Sequence, residues 1–103
     1  MSAYSLTPLA KADIFDIWSY IAEDNEEIAD RVEQAIYDAC SFLAQAPLRG
    51  HSRDELTDLP VRFWTLTRYP AYIIVYRPAT TPLQVIAVLH GKRNVQRLLK
   101  QRT

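Results

Sequence analysis

Two short runs, Ile73-Ile74-Val75 and Val85-Ile86-Ala87-Val88-Leu89, are apolar at every position. They lack the in–out alternation of a half-exposed strand. Apolar runs of this length, rich in β-branched residues, make strands that must be covered on both faces. This requirement constrains the whole chain, because one sheet then needs two layers of cover. A length of 103 residues provides one core and not two. The sequence is therefore read as one domain, residues 1–103, of the α+β class.

The first covering layer is visible upstream. Thr7-Pro8 reads as an N-cap followed by proline at the first helical position, where its missing N–H costs nothing. Ala10, Ile14, Ile17, Trp18 and Ile21 then recur at helical spacing, and the helix should end near Glu23. Asp24 and Glu27 resemble a capping box that opens a second helix over 26–46. Its Ala29, Val32, Ile36, Ala39 and Leu43 form a packing seam, and Pro47 stops it. A turn this short makes the two helices antiparallel. Trp18, read as a structural core residue, should face Val32 or the sheet.

Around this hairpin, residues 3–6 read as an opening strand and 47–60 as a surface loop. Residues 62–68, 72–77 and 83–90 read as a three-stranded antiparallel meander, punctuated by Pro70 and the Pro78–Pro82 stretch. From Asn94 the tail reads as a short helix with Val95, Leu98 and Leu99 on its apolar side. The second face of the sheet is then covered by this tail, by an oligomeric contact or by a bound partner segment.

Charge divides along the chain. Residues 1–60 hold all twelve acids against four bases, a net −8, while residues 61–103 hold eight bases and no acid, a net +8. Such a split points to an anionic partner for the C-terminal part, nucleic acid or an acidic protein segment, unless the two halves neutralise each other within the fold. Cys40 is the sole cysteine, which excludes an intrachain disulfide and fits a reducing cytoplasm. Its place on the apolar stripe of the second helix makes it a small core residue. His51 and His90 are far apart in sequence, so no metal or cofactor site is expected. No apolar run reaches the ~18 residues of a membrane span, and no signal segment opens the chain.

Little in the sequence offers catalysis. Asp13 and Asp16, like Glu26 and Glu27, read as solvated helical faces rather than paired carboxylates. The exception is His90-Gly91-Lys92-Arg93-Asn94 at the end of an apolar strand. Histidine there can act as a base near neutral pH, Lys92 and Arg93 can hold a phosphate, and Gly91 permits the turn that exposes them. The other reading is a basic strand exit paired with the protein's own acids. Arg77, inside Tyr76-Arg77-Pro78, reads as a structural arginine bonded to carbonyls or to a helix acid.

Several runs together carry a resemblance. Leu6-Thr7-Pro8-Leu9-Ala10-Lys11-Ala12-Asp13-Ile14 continues to Ala22 with Trp18 inside it, and Ala46-Pro47-Leu48-Arg49-Gly50 follows. Ile74-Val75-Tyr76-Arg77 and Val88-Leu89-His90-Gly91-Lys92-Arg93 complete the set. In this order they are similar to the ParE branch of the RelE/ParE toxins of type II toxin–antitoxin systems, over nearly the whole chain. The resemblance implies a cytoplasmic toxin that inhibits DNA gyrase without hydrolysing anything. It implies a cognate antitoxin, with DNA bound only through it. The apolar sheet surface and the +8 C-terminal half predict that an extended, acidic and apolar segment of that antitoxin wraps the toxin. The RelE branch cuts messenger RNA on the ribosome with basic residues on the middle strands. Those positions fall here on Trp64, Leu66 and Ile73, and a C-terminal tyrosine position falls on Leu99. Only Gly91-Lys92-Arg93 keeps that pattern, so target binding is expected at His90, Lys92, Arg93, Arg97 and Lys100. The alternative is a ribosome-dependent endoribonuclease using His90, Arg93, Arg62 and Arg68.

Overall fold

The computed structural model describes residues 3–102, so residues 1, 2 and 103 of the expected domain lie outside it. The elements run β1 (Tyr4–Leu6), α1 (Pro8–Ala22), α2 (Glu26–Gln45), a 3₁₀ turn (Pro47–Arg49), β2 (Arg62–Thr65), β3 (Tyr72–Arg77), β4 (Leu83–His90) and α3 (Val95–Lys100). They build a four-stranded sheet of order β1-β4-β3-β2. The meander β2-β3-β4 is antiparallel, and β1 adds to the outer edge of β4 in parallel.

Local chemistry sets the helix ends. Thr7 Oγ1 accepts the Ala10 amide, and Pro8 occupies the first turn. At α2 the expected capping box is replaced by a simpler cap. Asn25, one residue after Asp24, accepts the Ile28 amide through its side chain, while Glu26 and Glu27 favour the positive end of the helix. The meander's first strand is also shorter than expected. It ends at Thr65, because Tyr72 draws the Leu66 amide into a turn.

The two apolar strands are covered on both faces, as their composition requires. On one side Ile74, Tyr76, Val85 and Val88 pack against Ala10, Ile14, Val32, Ile36, Cys40 and Leu43 of the helical hairpin. On the other side Val75, Ile86, Ala87 and Leu89 pack under Val95 and Leu99 of α3, joined by Val61 and Phe63. The tail is thus the second cover. A register shift between Val75 and Tyr76 makes Ile86 the extra residue, which explains why Ile86 and its neighbour Ala87 face the same side. Cys40 is fully buried, and burial pushes its thiol up to about 12, consistent with an inert core residue.

Two residues differ from expectation. Trp18 is half-buried at the rim of the hairpin, outside the two cores, with its indole N–H donating to Asp30 at 2.8 Å. Asp13 is not a solvated helix acid. Its side chain is 12% exposed and accepts both Arg102 guanidinium nitrogens, at 2.5 and 2.8 Å, together with the Val88 amide at 3.0 Å. The cause is the brevity of β1, which leaves the rest of the β4 edge unpaired. Thr7 takes the Val85 and Ile86 carbonyls, Asp13 takes the Val88 amide, and Arg102 also donates to Ile86.

Candidate functional site

Three surfaces surround this core. The first is the basic exit of β4. His90 pairs with Tyr72 across the strands, and its ring meets the Tyr72 ring edge-on at 5.5 Å. The His90 carbonyl accepts the Arg93 amide, and its Nδ1 accepts the Lys92 amide. These contacts fold 90–93 into a tight turn that exposes Lys92 and Arg93. Asn94 caps α3 by accepting the Arg97 amide. Arg93 and Arg97 consequently flank one shallow hollow with Asn94 and Gln101. Lys100, on the same helix, lies instead against Asp54, Glu55 and Asp58 of the loop. Of the eight C-terminal bases, only Arg102 forms an ion pair among the described residues, with Asp13. Lys92, Arg93 and Arg97 form an exposed basic face with no ion-pair partner among the described residues, and Lys100, likewise exposed and unpaired, faces the loop side of α3.

Two structural expectations fail here. Gly91 does not adopt a backbone conformation reserved for glycine, and an added Cβ would meet only ordinary contacts at 3.4 Å and beyond. The Arg77 guanidinium makes no hydrogen bond or ion pair among the described residues. Arg62 and Arg102 hold carbonyls instead, Arg62 donating to Gly50 at 2.7 Å. The glycine that the fold does require is Gly50. Its amide donates to the Tyr76 hydroxyl at 2.8 Å, the hydroxyl donates to Pro47 at 2.6 Å, and a Cβ would stand 2.5 Å from that oxygen. Burial pushes the Tyr76 hydroxyl above its ordinary value, against the opposing pull of the Gly50 amide.

The four residues of a nuclease do not converge. Arg62 pairs with Tyr76 at one end of the sheet and is tied to loop carbonyls, whereas His90 pairs with Tyr72 at the other end. Arg68 lines a groove against α2, and His90 with Arg93 lines a separate cavity against α1. The positions where RNA-cutting chemistry would sit are packed. Trp64 lies against Phe42 with ring centroids 5.6 Å apart, Leu66 is buried under the hairpin, Leu99 of α3 is buried in the core between α3 and the sheet, and Ile73 packs half-buried against that core.

The second surface is the groove between α2 and the outer strand β2, about 680 Å³ in volume. Ala39, Phe42, Trp64, Leu66 and Tyr69 give it an apolar floor, with Arg31 and Arg68 at its rim. Arg49 lies over the Phe42 ring at 3.8 Å, fixing that wall. Neither the sequence pattern nor the charge split marks this groove, because its lining comes from segments more than twenty residues apart. The third surface is the cavity between α1 and the β4 edge, about 530 Å³, where Asp16, Tyr20, Tyr72, His90 and Arg93 meet.

No group of histidine, cysteine, aspartate and glutamate able to hold a metal occurs among the described residues. No helix among them is long and apolar enough to cross a membrane.

Comparison with known proteins follows the same outline. Residues 4–95 match the family described as the ParE toxin of type II toxin–antitoxin systems, parDE. A solved structure described as a chromosomal ParDE toxin–antitoxin system from P. aeruginosa is similar over 87% of this chain and 96% of that one, with 25% identity and a TM-score of 0.69. A search of curated proteins finds no match.

Proposed function

Since this chain belongs to the ParE toxin family of type II toxin–antitoxin systems, we propose that it arrests growth by binding DNA gyrase and is neutralised by a cognate antitoxin. The observation that carries the gyrase reading is the packing of Trp64, Leu66 and Ile73. Leu66 is buried and Trp64 and Ile73 are half-buried against the cores, and apolar side chains neither take up a proton nor stabilise a pentavalent phosphate. Inhibition must then come from affinity, and the surface suited to it is the face of Lys92, Arg93 and Arg97. His90 serves there as part of the scaffold of the turn. A gyrase-binding protein works in the cytoplasm, where gyrase and its DNA are.

The antitoxin fits the groove between α2 and β2. Beyond the His51–Phe63 bridge the outer edge of β2 carries no strand among the described residues, so an extended segment can pair with it. Apolar side chains of that segment would lie on the packed Phe42–Trp64 pair, with carboxylates meeting Arg68 and competing with Glu27 for Arg31. An acidic, apolar segment that folds on binding suits such a surface.

Induction of the protein in bacteria, with primer-extension mapping of transcripts, tests the reading. It expects growth arrest without new transcript ends, relieved when an antitoxin is co-expressed. New ribosome-dependent cleavage ends would put the endoribonuclease first.

A further inference from the structure

The cavity between α1 and the β4 edge shares His90 and Arg93 with the basic face, but its Asp16, Tyr20 and Tyr72 belong to neither partner surface. Its volume of about 530 Å³ falls in the range of small-molecule sites. Tyr72 and His90 form one wall, packed edge to face with rings at 86°. Tyr20 stands across from them on α1, 74% exposed, where an aromatic ring contributes little to the fold. Tyr20 and Tyr72 line the same cavity, and burial, with the nearby Tyr20 second, pushes the Tyr72 hydroxyl above its ordinary value.

The polar groups of the cavity are sorted by what they already hold. Asp13 is committed to Arg102 and to the Val88 amide, which also closes this stretch of the β4 edge to a pairing strand. Asp16 and Arg93 are exposed and have no ion-pair partner among the described residues. Because His90 Nδ1 accepts the Lys92 amide, the neutral ring carries its proton on Nε2. Three rings, one free carboxylate, one free guanidinium and an imidazole N–H thus surround one space. A peptide segment would need an open strand edge that Asp13 has taken. A planar base attached to a phosphate uses every group: aromatic faces for stacking, a carboxylate for an amino or hydroxyl donor, and a cation for the phosphate.

We propose that this cavity binds a nucleotide, with its base between Tyr20 and Tyr72, Asp16 accepting from the base or the ribose, and Arg93 on the phosphate. The site binds without cleaving and does not depend on the gyrase reading. The same chemistry is offered by a free mononucleotide and by one residue of a single strand, and the experiment separates them.

The purified 103-residue chain is titrated calorimetrically with AMP, with adenosine, and with a single-stranded octanucleotide. Saturable binding of AMP, lost with adenosine, is expected. Tyr20→Ala should weaken it about 5- to 150-fold, the range for loss of one base–aromatic stack. Phe15→Ala removes an equally accessible ring of α1 that lies outside the cavity, and should leave binding unchanged. An octanucleotide that binds more than about tenfold tighter than AMP, with the same dependence on Tyr20, assigns the site to a single strand. Comparable affinities assign it to the free nucleotide. Tyr20 is exposed, so its alanine variant should keep the native far-ultraviolet circular dichroism. No saturable binding of either probe up to about 10 mM, or binding indifferent to Tyr20→Ala in a folded protein, overturns the proposal.

Discussion

Replacing Asp13 with alanine should destabilise the protein far more than replacing a helix-surface acid. The carboxylate is 12% exposed and accepts three hydrogen bonds, two from Arg102 and one from the Val88 amide. Removing one partner of a buried ion pair costs about 3–5 kcal/mol when the other charge stays buried. An orphaned backbone amide adds about 1–3 kcal/mol. The sum is an upper bound, because Arg102 follows the last turn of α3 and can swing into water, recovering most of its hydration. The expected loss is therefore about 2–4 kcal/mol. Arg102→Ala leaves Asp13 with the Val88 amide and a solvent side, so it should cost about 1–2 kcal/mol. The double variant should show a coupling of about 1–2 kcal/mol, since the two residues share one set of bonds. Urea unfolding monitored by circular dichroism measures all three, and an unchanged m-value would confirm that stability alone moved. A loss below about 0.5 kcal/mol for Asp13→Ala, the level of an ordinary surface change, or strict additivity in the cycle, would refute the clasp.

Other consequences are checked more simply. Gly50→Ala should cost about 1–3 kcal/mol by overpacking against the Tyr76 hydroxyl and the Phe63 carbonyl, and Tyr76→Phe a similar amount by leaving the Gly50 amide unpaired; thermal melts read both. Cys40, with its thiol pushed up to about 12, should react with a thiol reagent at pH 8 no faster than the protein unfolds, and rapid labelling of native protein would contradict its burial. Arg93→Glu with Arg97→Glu should abolish growth arrest in a protein that still folds. His90→Gln should leave arrest largely intact, whereas an enzyme using His90 as a base would lose about 10²–10⁴ in rate. The antitoxin complex should survive ~1 M salt, where the Debye length is only ~3 Å, because apolar burial persists when charge is screened.

What could be read from the sequence was local. Thr7-Pro8 and Pro47 mark helix ends through chemistry confined to a few neighbouring residues, and the runs at 73–75 and 85–89 require two-sided cover wherever they are placed. α3 as the second cover was one of three possibilities, and only the packing of Val95 and Leu99 on Ala87 and Leu89 selects it. The Asp13–Arg102 pair could not be seen, because its partners are 89 residues apart and Asp13 sits where a solvated acid would. It exists because β1 is short; residues 3–6 read as a brief strand, but its place beside β4, and the β4 edge it leaves open, follow only from the fold. Gly91 looked special from its neighbours, yet Gly50 is the crowded one, for a tyrosine 26 residues away. The basic cluster was legible as charge but not as surface. The fold sends Arg102 to Asp13 and turns Lys100 toward the loop side of α3, and leaves Lys92, Arg93 and Arg97 together on one exposed face.

The gyrase claim is tested most directly by supercoiling of relaxed plasmid with purified gyrase and increasing amounts of this protein. Inhibition by the unaltered chain, retained in His90→Gln and lost in the folded Arg93→Glu, Arg97→Glu variant, is the expected result. Undiminished supercoiling at a large excess of folded, growth-arresting protein would contradict it.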